Sequence, residues 1–199
     1  MLVFWREKLV FLAVPKTGTT ALEGALAPKA AAVFRDPPIL KHTPIYRYKR
    51  FVLPLLQKAG DNDLETLAVV RHPVSWLGSW YRYRHRDDLV GHQNSTRGKT
   101  FDEFVEEYCR GKPEPYAGVG SQAKFVGDGE GSVDCHHLFR YESQEPLYRF
   151  FEERLDMKLE TKALNVSPPM ELTLSPRVEE KLRRKKPAEF EVWERGRST

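Results

Sequence analysis

The sequence predicts an α/β domain with parallel strands. Two observations carry this. The layout of strand, tight turn and helix occurs twice, over residues 9–26 and again over 64–86. Each of the two strands is a short, nearly continuous apolar run, the pattern of a strand buried on both faces. A third observation is size: 199 residues with 40% hydrophobic content suit one core and one domain.

The elements follow in order. "MLVFWREKLVFLAV" opens the chain; Arg6, Glu7 and Lys8 interrupt it, so it reads as a strand entering the domain and not as a signal peptide. Residues 9–14 form the first buried strand, and a helix starts in the turn that follows, over residues 19–26. Residues 31–34 suit a second short strand, and "DPP" at 36–38 is a turn. Residues 46–56 suit a helix interrupted by Pro54. "LETLAVV" at 64–70 is the next strand, and "VSWLGSWYRYRHR" is a helix with an aromatic face.

Beyond it, residues 91–100 form a polar loop. Residues 101–109 suit a helix with Thr100 as N-cap and Glu103 at the capping-box position. Residues 121–126 fit a short helix, and "GDGEG" at 127–131 a turn. "DCHHLFRYE" supplies a strand that leads into the amphipathic helix "SQEPLYRFFEERL". Ser175 and Pro176 start a final helical segment over about 175–196, which Pro187 should break.

Composition narrows the function classes. The net charge of +4 is the small difference between 32 basic and 28 acidic residues, so it favours an anionic partner only weakly. No recognisable nucleic-acid-binding motif accompanies the basic runs "YRYKR", "RYRHR" and "RRKK", and nucleic acid is not the expected partner. Cys109 and Cys135 lack further ligands at metal-binding spacing and read as free thiols. No run approaches the ~20 apolar residues of a membrane span. The expectation is a cytoplasmic protein with no transmembrane segment.

Chemistry concentrates at the two strand ends. In "PKTGTT", Lys16, Thr17, Gly18, Thr19 and Thr20 sit where a strand gives way to a helix. A helix N-terminus carries unpaired N–H groups and partial positive charge. Small residues admit an anion to the backbone, hydroxyls add donors, and Lys16 adds a full charge, which together suit a phosphate- or sulfate-sized group. The order is not that of a Walker A loop, in which lysine follows the second glycine. The same residues also fit a plain strand-to-helix turn. At the second strand end, Arg71 is followed eight residues later by Ser79, about two helical turns along. Arg71 suits a forked grip on phosphate, and Ser79 can donate a hydroxyl.

The two motifs in order resemble the sulfotransferases that use 3′-phosphoadenylyl sulfate (PAPS), particularly small bacterial-type or carbohydrate-type members. "PKTGTT" resembles that family's 5′-phosphosulfate loop, and "RHPVSWLGSWY" its 3′-phosphate motif. More loosely, "LKHTP" resembles the segment with the catalytic histidine, "LFRYESQEPLYRFFEERL" the strand and helix after the substrate-binding insert, and "LNVSPP" a late loop near the nucleotide. The resemblance implies a P-loop-like three-layer sandwich with a central parallel β-sheet flanked by helices, and a compact acceptor-binding insert at about 91–131. It implies transfer of a sulfuryl group from PAPS to a hydroxyl or amine of a small-molecule or carbohydrate acceptor, leaving 3′,5′-adenosine bisphosphate (PAP).

On that reading, Lys16 and His42 are catalytic: Lys16 stabilises charge on the leaving oxygen and His42 serves as general base. Lys16, Thr17, Gly18, Thr19, Thr20, Arg71 and Ser79 bind the nucleotide, with Gln122 in "SQAKF" and Ser167, beside Asn165 in "LNVSPP", as further contacts. No acidic cluster suits a metal, so metal-independent chemistry is expected. A small-molecule kinase of the P-loop type and a non-enzymatic nucleic-acid or anion-binding module remain as alternatives.

Overall fold

A computed structural model describes residues 1–60, 63–161 and 170–198. Among them five strands form one sheet: β1 (Leu2–Phe4), β2 (Leu9–Leu12), β3 (Ala32–Val33), β4 (Glu65–Val70) and β5 (His137–Arg140). Their spatial order is β3-β1-β2-β4-β5. β2, β4 and β5 run parallel, with Leu12 opposite Ala68 and Val70 opposite Arg140. β1 is antiparallel to β2 and to β3.

The sheet is therefore mixed, which corrects the expectation of a parallel one. The reason lies in the opening stretch. It reads as a single strand but folds as a hairpin, and the charged residues that interrupt the apolar run make its turn: the Lys8 amide donates to the Trp5 carbonyl at 3.3 Å. A turn this short can join only antiparallel neighbours.

Helices cover both faces. On one face, α1 (Thr19–Leu26) and α8 (Gln144–Leu155) pack Leu22, Leu26, Leu147 and Phe151 onto Phe11, Leu67, Val69 and Phe139. On the other, α3 (Ile45–Arg47), α4 (Leu53–Lys58), α7 (Gln122–Val126) and α10 (Pro187–Glu194) cover Val10, Leu12, Ala68 and Val70. Successive residues of β2 and β4 thus enter opposite layers, which is why their sequences lack polar alternation. Each fully buried Leu or Phe contributes roughly 1.5–3 kcal/mol relative to exposure.

A third apolar cluster joins α5 (Pro73–Arg84), α6 (Phe101–Tyr108) and α9 (Pro176–Lys185) through Trp76, Leu77, Phe104, Val178 and Leu182. α2 (Pro38–Lys41) is a single turn. Beyond β5, the Arg197 N–H donates to the Leu138 carbonyl at 2.9 Å and the Arg140 N–H donates to the Arg197 carbonyl at 3.1 Å.

Local chemistry sets the helix boundaries. Thr100 caps α6 reciprocally with Glu103, as the sequence predicts. Lys186 leaves helical geometry before Pro187, so the C-terminal segment splits into α9 and α10. Between α3 and α4 the chain does not break before Pro54. It continues through a π-helical turn, Tyr48–Val52. The wider turn carries the helix past a residue that has no N–H and crowds the preceding turn.

Candidate anion-binding site

β2 and β4 are adjacent and parallel, so their C-terminal ends open on the same edge of the sheet. This is where open α/β sheets bind ligands. After β2 the chain turns through Lys16 (φ 67°) and Gly18 (φ 74°), both left-handed. That conformation costs a lysine roughly 1–2 kcal/mol and a glycine little. A Cβ on Gly18 would also lie 3.1 Å from the Tyr141 ring. The Thr17 hydroxyl donates to the Val14 carbonyl at 2.9 Å, so it locks the turn. α1 then begins at Thr19 with no side-chain cap and no acid in its first turn, leaving its N-terminal partial charge uncompensated.

The second turn is fastened to the first. The Trp76 indole N–H donates to the Pro15 carbonyl at 2.9 Å. The Arg71 guanidinium donates from Nη1 to the Lys16 carbonyl at 3.4 Å and from Nε to Ser75 Oγ at 2.8 Å. It lies 4.4 Å from the centre of the Tyr141 ring. Two of its five N–H groups are engaged in this way, which leaves three for a ligand.

One cleft of about 950 Å³ is lined by Lys16, Thr17, Gly18, Thr19, Thr20, Arg71, Ser79 and His42 together. His42 Nδ1 lies 2.7 Å from the Ala13 carbonyl. A carbonyl can only accept, so Nδ1 carries the proton and the neutral ring keeps its lone pair on Nε2. Burial, chiefly, pulls the His42 pKa below its usual value, with the neighbouring Lys41 charge adding to the effect and the Ala13 hydrogen bond opposing it. Neutral imidazole is the form a general base requires.

Among the described residues, five basic side chains line the cleft, Lys16, Lys41, Arg71, Arg82 and Arg86, and no Asp or Glu does. Lys41 is paired with Glu23 at 2.9 Å, and Arg86 with Asp88 at 3.2 Å. Burial and the charges of Arg86, Arg71 and Arg82 lower the Lys16 pKa to about 8. Its ammonium sits 4.2 Å from the Tyr83 ring centre and 5.8 Å from that of Trp80. The cleft is thus an under-compensated cationic pocket.

Two expected contacts stand differently. Gln122 is fully buried and does not line the cleft. Its Oε1 accepts from the Arg71 N–H and its Nε2 donates to the Arg71 carbonyl, each at 2.8 Å. Both ends of the amide are spent on the backbone, so Gln122 holds Arg71 in place and is not a ligand contact. Ser167 and Asn165 lie outside the described residues. His72 likewise does not line the cleft; its ring packs edge-on against Phe190 and Trp193.

The basic run "RYRHR" lies near the site in sequence, but Arg82 and Arg86 are not among the site residues the sequence predicts; the structure puts both on the cleft wall. The signal was present: Ser75, Ser79, Arg82 and Arg86 follow one helical stripe. Sequence reasoning also placed the acceptor-binding insert at 91–131, whereas no residue of that stretch lines the cleft. α6, within it, packs into the third apolar cluster. Further lining comes instead from Tyr141, which lies against both turns, and, on α8, from Gln144 and Tyr148.

No protein-family model, curated protein or solved structure matches this chain.

Proposed function

We propose that the cleft binds a nucleotide with two separated anionic groups and that the protein is a PAPS-dependent sulfotransferase. The observation that carries the reading is the joining of the two turns, Arg71 to Lys16 and Trp76 to Pro15, within one cationic cleft that also holds His42. Lys16 and the backbone of residues 17–20 take the 5′-phosphosulfate; Arg71 and Ser79 take the 3′-phosphate.

In the reaction, His42 Nε2 removes the proton from the acceptor hydroxyl as its oxygen bonds to sulfur. The bond from sulfur to the bridging oxygen breaks, and that electron pair stays on the 5′-phosphate of PAP. Lys16 and the N–H groups at the start of α1 stabilise this growing charge, which forms in a site already arranged to receive it.

A P-loop kinase would need groups that hold magnesium beside the phosphates. Among the described residues the cleft wall has five cations and no carboxylate, which disfavours that alternative. Calorimetric titration with PAP tests the proposal. The parent protein binds it, and Arg71→Ala weakens binding at least about tenfold, the loss expected for a charge-assisted bidentate contact. Equal affinity in the two proteins rejects the 3′-phosphate assignment. A mass-spectrometric screen of acceptor pools with PAPS then looks for a sulfuryl mass gain.

A further inference from the structure

The segment from α2 to α4 is apolar on two sides and covered on one. Ile45, Tyr48 and Val52 face the core, and Leu56 is packed against it. Tyr46, Phe51 and Leu55 point outward, 53%, 62% and 64% exposed. Phe51 and Leu55 are four residues apart on the helical surface, and Tyr46 and Phe51 are five apart across the π-helical turn, so the three follow one side of the helix. Exposed apolar patches mark association sites.

The charge on this segment identifies what meets it. Residues 37–60 contain Lys41, Arg47, Lys49, Arg50 and Lys58 and no acid; Lys41 pairs with Glu23 and Lys49 with Asp134, so Arg47, Arg50 and Lys58 carry the charge of the patch. Arg47 lies over the Tyr46 ring at 5.7 Å, and Arg50 over the Phe51 ring at 5.2 Å, so cation and aromatic share one surface. A second copy meeting this patch in a two-fold dimer would set these cations against themselves, because such an interface joins a surface to its own copy. The occupant must be anionic and must also accept apolar side chains. None of residues 45–58 lines either of the two cavities described, so this surface is separate from the cleft.

We propose that this surface, Tyr46, Phe51 and Leu55 flanked by Arg47, Arg50 and Lys58, seats the protein on an anionic phospholipid bilayer. Among the described residues no helix is long and apolar enough to cross a membrane, so attachment is lateral. The apolar side chains enter the boundary between headgroups and acyl chains, and the long basic side chains reach back to the phosphates. The inference does not depend on the sulfotransferase reading. α2 connects this surface to the cleft: Pro38 and Lys41 line the cleft while Ile39 and Leu40 are exposed.

Co-sedimentation of the whole protein with vesicles of phosphatidylcholine alone, or mixed with phosphatidylserine, tests this. The protein pellets with the mixed vesicles, and binding falls as salt rises. The double variant Phe51→Ser, Leu55→Ser weakens binding by at least about tenfold, given the usual yield of burying apolar groups. Its circular dichroism and melting temperature show whether the fold survives. Tyr46→Ser, on the same exposed face, supplies a second and milder test. Arg183→Gln with Arg184→Gln, in a basic run on α9, leaves binding unchanged.

Equal binding to both vesicle types overturns the proposal, as does unchanged binding by both serine variants. So does an equal loss in the α9 variant, which would indicate generic charge. Absence of vesicle binding, with Phe51-dependent binding to polyglutamate, overturns it in favour of an acidic protein partner.

Discussion

Lys16→Met separates the two demands on this side chain, because it should stabilise the empty protein while abolishing its anion binding. The Lys16 pKa falls from 10.5 to about 8, chiefly through burial and then through the charges of Arg86, Arg71 and Arg82. At about 1.4 kcal/mol per pKa unit, that drop is a penalty of roughly 3 kcal/mol on the charged form at neutral pH. Lys16 is only half-buried, so solvent screening reduces the usable figure to ~1–2 kcal/mol. Methionine forfeits the ammonium's contact with the Tyr83 and Trp80 rings, worth ~0.5–1 kcal/mol. The left-handed backbone at position 16 is common to both proteins and cancels. The net gain is about 1 kcal/mol at pH 7, or roughly 2–4 °C in melting temperature for a chain of this size.

The pH dependence sharpens the test. The folded protein holds Lys16 less protonated than the unfolded chain does, so the penalty is fully present below about pH 8 and is relieved as pH rises towards 10.5. The advantage of the variant therefore shrinks over that interval. Urea unfolding of parent and variant at pH 7 and at pH 10 measures both effects, and addition of PAP should raise the parent's melting temperature alone. If Lys16→Met is less stable than the parent at pH 7, or if the gap between them ignores pH, the charge-crowding argument is wrong.

Four further outcomes follow from the same geometry. His42→Ala should cost about 10²–10⁴ in turnover, the usual worth of a positioned base, with PAP affinity retained. Because burial lowers the His42 pKa, the acid limb of the parent's kcat/KM profile should lie below pH 6.5; a limb above that value contradicts the placement. Gln122→Leu strands the Arg71 N–H and carbonyl without partners, so urea unfolding should show a loss of about 2–4 kcal/mol, accompanied by weaker PAP binding. Sulfuryl transfer should persist in a chelator such as EDTA, since a cleft lined by five cations repels a divalent ion; a strict magnesium requirement would reverse that conclusion.

Much of this architecture was legible from residue pattern. β2 and β4 show as apolar runs because both their faces are covered, and "PKTGTT" and "RHP" stand out because charge and small residues follow those runs directly. Thr100 and Glu103 announce the start of α6 by a purely local exchange of hydrogen bonds. The hairpin of β1 and β2 was not legible, since a strand's partner is a long-range choice and the interrupting charges have no unique reading. Nor was the role of Gln122, which lies 51 residues from Arg71 and reaches its backbone only after α7 has docked. Pro54 was misread as an interruption because periodicity assumes a regular helix, and the π-helical turn before it escapes that assumption.

The short contact at Arg197 bears on how this protein resists misassembly. A fibril grows by capturing a bare strand margin. At one margin of this sheet the main chain of Arg197 occupies amide and carbonyl groups that would otherwise invite a newcomer. At the other, β3 offers only two residues, too little length to template growth. Crowded, concentrated samples should therefore be lost through contacts between side chains before they are lost through stacked backbones.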